Sequence, residues 1–390
     1  MNSKNKYINV MISYLLAISM ATSFLTSLRI KYVGISELCF IVLIIILFFK
    51  YHKYIFLFNN KNFLNYLKIF LIVSVLFINP ILSFTSENIN FHHLKFHFSY
   101  FFSVILFFLT IEFIKKEKDY FNSTIALYLL IFIFLIIINF LISKIILFEN
   151  YYFDNNYRFQ GLTNNPNQLS FFLIVSMIFI GLLKNRIFYY FIPILVLVGL
   201  ETDSRAFAYG IYVSFFIFLI IFLKKKFIKN LNMLTLLIFL LSLFIILIIS
   251  LLILIQSLGS IESLIKLHDN YSDRSLYLRF DQLIFSTQLI LKNPFFGIGL
   301  GNVSTDEAHN TFLDFAIIFG IPLSLLLLFV LSISLLIAIY KNDYFLAFSL
   351  TVFIFFIQFH FVGRHFIFYT LLAFLSNYSL KNLKKIYKSQ

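Results

Sequence analysis

Charge and thiol are what this sequence has least of. Of its 390 residues 12% are charged, one is cysteine and none is tryptophan. With Cys39 alone no internal disulfide can form, and a thiol inside an apolar run reads as an inert buried one. Acidic residues number 17 against 31 basic ones, a net charge of +14 that by itself would admit nucleic acid as a partner. Charge is also missing from the centres of the apolar runs, where Glu37, Glu112 and Asp314 all stand near run ends. A charge at mid-bilayer costs about 2.5 to 3.5 kcal/mol or more unless it serves a function, and a proton- or ion-coupled transporter is expected to accept that cost. Coupled transport is therefore disfavoured.

What is present is hydrocarbon-loving sequence, 61% hydrophobic residues overall. Residues 231–255 exceed the roughly 20 apolar residues that cross about 30 Å of bilayer, and 125–142, broken only by Asn139, come close. The pattern predicts an all-α polytopic membrane protein, one transmembrane domain over 1–390. About twelve spans are expected, near 9–28, 33–49, 67–84, 96–114, 122–143, 167–183, 187–200, 206–223, 231–255, 312–340, 343–359 and 365–379. The stretch 312–340 carries Gly320-Ile321-Pro322, so a re-entrant or tilted start is anticipated there. A short basic n-region precedes an apolar run without a small-residue cleavage pattern, so the first helix is expected to stay.

With the N-terminus inside, the cytoplasmic gaps hold Lys115-Lys116-Glu117-Lys118, Lys184-Asn185-Arg186, the lysines of 224–229 and those of 381–388. The positive-inside rule then puts both termini in the cytoplasm. Of 24 lysines 19 fall inside. Of seven arginines only Arg186 does, whereas Arg29, Arg158, Arg205, Arg274, Arg279 and Arg364 fall outside. Lysines set the orientation, and the arginines call for a partner. A guanidinium fork matches phosphate oxygens bidentately and keeps its proton, so an anionic ligand on the outer face is expected rather than nucleic acid. The bland alternative pairs these arginines with Asp154, Glu201, Asp203 or lipid phosphate.

The polar interruption 256–310 is too long for an idle connector and is read as part of the site. A helix is predicted over 273–292, capped by Ser272 or Asp273 and stopped by Pro294. On it Ser275, Arg279, Gln282 and Ser286 share one narrow stripe, and Arg274, Asp281, Gln288 and Lys292 a second about 120° away. The second stripe carries both charge signs and reads as a solvated face, while the first, with one arginine, reads as a site. A broad apolar arc with Leu276, Phe280, Leu283, Ile290 and Leu291 is expected to lie against the bundle or the bilayer surface. Gly297, Gly299 and Gly301 follow no strand and precede no G-K-[ST], so they predict a tight turn rather than a nucleotide loop. His309 has no second histidine nearby in the loop, which disfavours a metal site. A neutral imidazole there suits proton removal from a sugar hydroxyl.

Arg158-Phe159-Gln160-Gly161, Asn165-Pro166-Asn167, Thr202-Asp203-Ser204-Arg205-Ala206, Arg279 ahead of Asn293-Pro294-Phe295-Phe296-Gly297, and His309-Asn310 come in this order. Together they resemble the O-antigen ligase and polymerase superfamily over roughly 150–330. Leu283 stands where the family often has tryptophan and Ala206 where it often has glycine, and the link from the glycine run to His309 is short. The resemblance implies a GT-C-like scaffold of twelve helices in the bacterial inner membrane with a periplasmic site. It also implies inverting glycosyl transfer from an undecaprenyl-pyrophosphate-linked glycan, with no metal and no other cofactor. Carried over by motif, Arg205, Arg279 and His309 are catalytic, and Arg158, Arg274, Asn310 and Gln282 are expected to bind substrate. The acceptor is lipid A core for a ligase or the growing lipid-linked glycan for a polymerase. An uncoupled lipid-glycan flippase is the alternative from another class.

Overall fold

The computed structural model describes residues 3–29, 34–56, 78, 81–82, 91–145, 152–154, 158–227, 274–299 and 308–388. These residues are helical almost throughout, with one isolated bridge between Phe153 and Phe159. In chain order the helices are α1 (Ser3–Thr22), α2 (Ile35–Phe56), α3 (Phe91–Lys116), α4 (Lys118–Ile145), α5 (Pro166–Leu183), α6 (Arg186–Tyr189) and α7 (Ile192–Glu201). They continue with α8 (Arg205–Phe227), α9 (Arg274–Lys292), α10 (Thr311–Phe319), α11 (Ile321–Tyr340), α12 (Tyr344–Phe356) and α13 (Phe366–Lys388). Among the described residues four helices are long and apolar enough to cross a membrane, at Ile35–His52, Asp119–Lys144, Pro166–Leu183 and Ile321–Tyr340. The expected spans 231–255 and, but for three residues, 67–84 lie outside the described residues.

Two expected spans are interrupted. Residues 187–200 form α6 and α7, with Pro193 in the first turn of α7, where a missing N–H costs nothing. Residues 312–340 break at Gly320 into α10, too short to cross, and α11, as the Gly-Ile-Pro sequence foreshadows.

Helix α5 is the hub, the most deeply buried of the four candidate spans. Asn165 caps it by accepting from the Gln168 N–H at 2.9 Å, Pro166 opens it, and Lys184 ends it in the left-handed region. It packs against α4, α7 and α12. At Gly181 the approach to α12 is so close that a Cβ would sit 2.9 Å from the Leu346 Cα, the use small residues have in membrane interfaces. Buried hydroxyls tie further helices together, Ser13 to Thr124 at 2.6 Å, Tyr128 to Ser176 at 2.6 Å and Ser334 to Ser379 at 2.8 Å. Bonds of this kind contribute roughly 0.6 to 2 kcal/mol each.

Helix directions sort the charges between the two ends of the bundle. Gly181 meets Leu346 and Phe171 meets Phe353, so α5 and α12 are antiparallel. Gly210 lies on Val352 and Phe218 on Tyr344, so α8 and α12 are antiparallel too. The starts of α5 and α8 are therefore level with the end of α12, and Arg158, Arg205 and Arg364 lie at that end. Arg29 joins them, because Thr26 beside it bonds Gln168 and the Asn164 amide. At the opposite end lie Arg186, the Lys184–Asp343 pair at 2.5 Å with Tyr378 donating to Asp343, and the Lys50–Glu117 and Lys115–Glu112 pairs. Lys144, paired with Glu201 at 3.4 Å, is on the arginine end. Among the described residues the arginine and lysine groups thus separate as the sequence pattern anticipates.

Candidate functional site

Three of the sequence motifs are physically one structure. The Arg158 Nε donates to the Thr202 carbonyl at 3.1 Å and its Nη2 donates to the Asn167 Oδ1 at 3.2 Å, while Asp154 accepts from the Arg158 amide at 2.8 Å. The Asp154 carboxylate also lies 3.9 Å from the guanidinium. Thr202 in turn shares a 2.7 Å hydrogen bond with Ser170 on α5, and the Phe159 amide donates to the Glu201 carbonyl at 3.0 Å. Arg158 is thereby the clasp between the loop before α5 and the turn before α8. That turn closes with Asp203 in the left-handed region, and Arg205, exposed, is the first residue of α8.

A second cluster forms around His309. Residues 308–310 lead into α10, whose cap is Asn310: its Oδ1 accepts from the Phe312 and Leu313 amides at 3.0 and 3.2 Å. The oxygen of a residue expected to bind substrate is therefore committed to the helix. His309 is exposed and sits at φ +51 in the left-handed region, which histidine visits more readily than most non-glycine residues. Asp314, 2% exposed, reaches back one turn, its Oδ1 accepting from the Ala308 amide at 2.9 Å and its Oδ2 from the Asn310 amide at 3.2 Å. Burial pushes this carboxyl up to about 7 against the lowering effect of the two amides. Sequence reasoning missed Asp314, reading it only as a charge near a span end.

The second cluster is tied to the segment between α12 and α13. The Thr311 amide donates to the Ile357 carbonyl at 2.9 Å, its hydroxyl donates to the His360 carbonyl at 2.6 Å, and the same hydroxyl accepts from the Val362 amide at 3.2 Å. Ile357 ends the helix level with the start of α8, so His309, Arg158 and Arg205 share one end of the bundle. Arg364 is there too, over the Phe361 ring at 5.4 Å. His365 beside it stacks on Phe171 at 5.2 Å, and burial, with the Arg29 and Arg364 charges, pushes it down to about 3. Its ring is half-buried against Phe171 and Phe172. Among the described residues no three His, Cys, Asp or Glu side chains are grouped as for a metal ion.

Helix α9 packs on α10. Its inward stripe is Gln282, Ser286 and Leu289, with Ser286 2% exposed, while Leu283 and Leu291 of the apolar arc are 37% and 71% exposed. Leu283 and Leu291 thus face away from the bundle. Gln282 Oε1 is buried with no hydrogen-bond partner among the described residues. Arg279 comes one turn before Gln282 on this helix, and Arg274 opens it. After Pro294 the chain turns through Gly297 and Gly299 at φ +71 and +76, as the glycine run predicts. The Ile298 amide donates to the Ile317 carbonyl and the Ile321 amide to the Pro294 carbonyl, both at 2.8 Å, stitching this turn to the Gly320 break. Gly301 lies outside the described residues. Between α3, α10, α11 and α13 lies an apolar cleft lined by Phe108, Phe315, Phe319, Leu327 and Tyr369, among others.

Residues 188–328 match the family model described as O-Antigen ligase. That segment runs from α6 into α11 and includes Arg205, Arg279, His309 and Asp314. It leaves out Arg158 and Arg364. The match makes that segment similar to O-antigen ligases, and four of the described helices are long and apolar enough to cross a membrane. No curated protein matches the chain.

Proposed function

We propose that this chain, with its O-antigen ligase segment at 188–328, is a glycosyltransferase that moves a glycan from undecaprenyl pyrophosphate to lipid A core at the periplasmic face. One observation carries the reading. The Arg158–Thr202 clasp with Arg205 and the His309–Asn310 turn, far apart in sequence, lie at one end of the bundle, the second held there by the Thr311 bonds to the segment after α12. Transfer from a pyrophosphate requires stabilisation of negative charge growing on the leaving group, and preorganised guanidinium groups supply it without reorganising. Arg205 and Arg279 take that role, with Arg158 and Arg274 holding the donor and Gln282 beside Arg279. His309 takes the proton from the acceptor hydroxyl, so that attack is direct and the anomeric carbon inverts. The apolar cleft beside α10 suits a polyprenyl chain entering from the bilayer.

Two measurements test this. A deletion strain is expected to lose its lipopolysaccharide ladder while lipid-linked polymer accumulates. A single repeat on the core would instead make the enzyme a polymerase, and an unchanged ladder would remove it from this chemistry. Arg205→Lys keeps the charge but not the fork, and is expected to lower transfer about 10- to 100-fold if phosphate contact is bidentate. Wild-type transfer by the lysine variant would reduce Arg205 to a point charge or less.

A further inference from the structure

A carboxylate buried against backbone amides, one turn inside a helix, has an energetic cost that calls for a function. Asp314 belongs to α10, which at nine residues rises only about 13 Å and is not a span. Its carboxyl is desolvated, yet both oxygens are used, one on the amide before His309 and one on the amide after it. Helix capping does not require this, because Asn310 already satisfies the Phe312 and Leu313 amides. What the carboxylate adds is a clamp across one residue, His309, whose backbone stands in the left-handed region.

We infer that Asp314 is a positioning residue for His309, its two carboxylate oxygens fixing the flanking amides and so setting where the exposed imidazole stands. This rests on the reading of His309 as the general base. The clamp needs the ionised form. A protonated carboxyl turns one oxygen into a donor, and one of the two amides then loses its acceptor. Desolvation raises the proton affinity of Asp314, so the clamp is intact above neutral pH and is lost as pH falls through about 7. Burial and the two amides set this balance, and one titratable group faces it from a neighbouring element. Tyr100 on α3 lies within electrostatic reach of both Asp314 and Arg364, and Arg364 comes from the segment between α12 and α13. The Thr311 bonds to the same segment keep α10 in place whatever the state of Asp314. An asparagine at 314 keeps one acceptor oxygen and loses the second, which separates clamping from bulk. A misplaced base costs rate rather than donor affinity.

The experiment uses the full chain in membranes and reads two quantities. One is transfer kinetics from pH 5.5 to 8.5. The other is the rate at which diethyl pyrocarbonate modifies His309, followed by mass spectrometry over the same range. Asp314→Asn is expected to lower kcat about tenfold with donor KM unchanged, to alter the rate of His309 modification, and to remove the part of the acid limb that the protonation of His309 does not account for. Asp314→Ala is expected to exceed it. Unchanged His309 modification together with an unchanged pH profile in Asp314→Asn would overturn the inference. So would a loss of transfer in both variants that merely follows the amount of folded protein. If His309→Ala transfers normally while Asp314→Asn still alters His309 modification, the clamp stands and the assignment of His309 as base falls.

Discussion

His309→Ala is expected to lower transfer by a factor of about 10² to 10⁴, the usual contribution of a positioned general base, with the protein still inserted and donor still bound. The bonds around residue 309 explain why the fold survives. Asp314 and Asn310 hold the main chain through the amides of 308, 310, 312 and 313, and none of those bonds uses the imidazole. One confounding effect has a definite sign. Residue 309 stands at φ +51, where alanine is penalised by roughly 1 to 2 kcal/mol, so an alanine variant combines loss of the base with backbone strain. Asparagine tolerates that region but is not a base. His309→Asn is therefore expected to recover the stability lost by alanine and none of the rate. If asparagine restored transfer, the imidazole would be there for its backbone preference and the acid–base role would be gone. The measurement is turnover with a lipid-linked donor at saturating concentration, alongside the thermal midpoint of each variant in detergent.

Much of this architecture was legible because it depends on period and sign. Apolar runs gave most helices, and the segregation of arginine from lysine anticipated which groups share an end of the bundle. The break at Gly320 was legible for the same reason, since Gly-Ile-Pro inside an apolar run can hardly continue a helix. What stayed hidden depends on tertiary placement. The apolar arc of α9 suited either the bundle or lipid, because a helix at the edge of a membrane protein has apolar surroundings on both sides and only packing on α10 decides. Asp314 was overlooked because a carboxylate at a run end is ordinarily solvated. Its use became apparent only when two amides were found on its oxygens. His365 gave no signal by spacing, since only the fold brings it to Phe171, far away in the chain.

Gly320→Ala is expected to have the second large effect, this time through the fold. Gly320 stands at φ +92 and ψ 162, a conformation essentially reserved for glycine. A Cβ there would lie 2.2 Å from the Phe295 carbonyl oxygen and 2.4 Å from its carbon. Backbone strain of about 1 to 3 kcal/mol adds to an overpacking cost of similar size, which together approach the whole margin of a marginally stable domain. The clash is with main chain, so trimming the neighbouring side chain cannot relieve it. Phe295→Ala combined with Gly320→Ala is expected to be as defective as Gly320→Ala alone. The same contact is built from both sides, since a Cβ on Gly297 would lie 2.5 Å from the Ile318 carbonyl, and Gly297→Ala is expected to fail in the same way. Function follows because the junction fixes the far end of α10, whose near end carries His309, and joins it to the turn that follows α9. Loss of transfer in Gly320→Ala should therefore come with a lowered thermal midpoint and reduced recovery from membranes. Wild-type stability in that variant would mean that the chain can pass from α10 to α11 without touching Phe295, and the coupling of the glycine turn to the His309 helix would be lost.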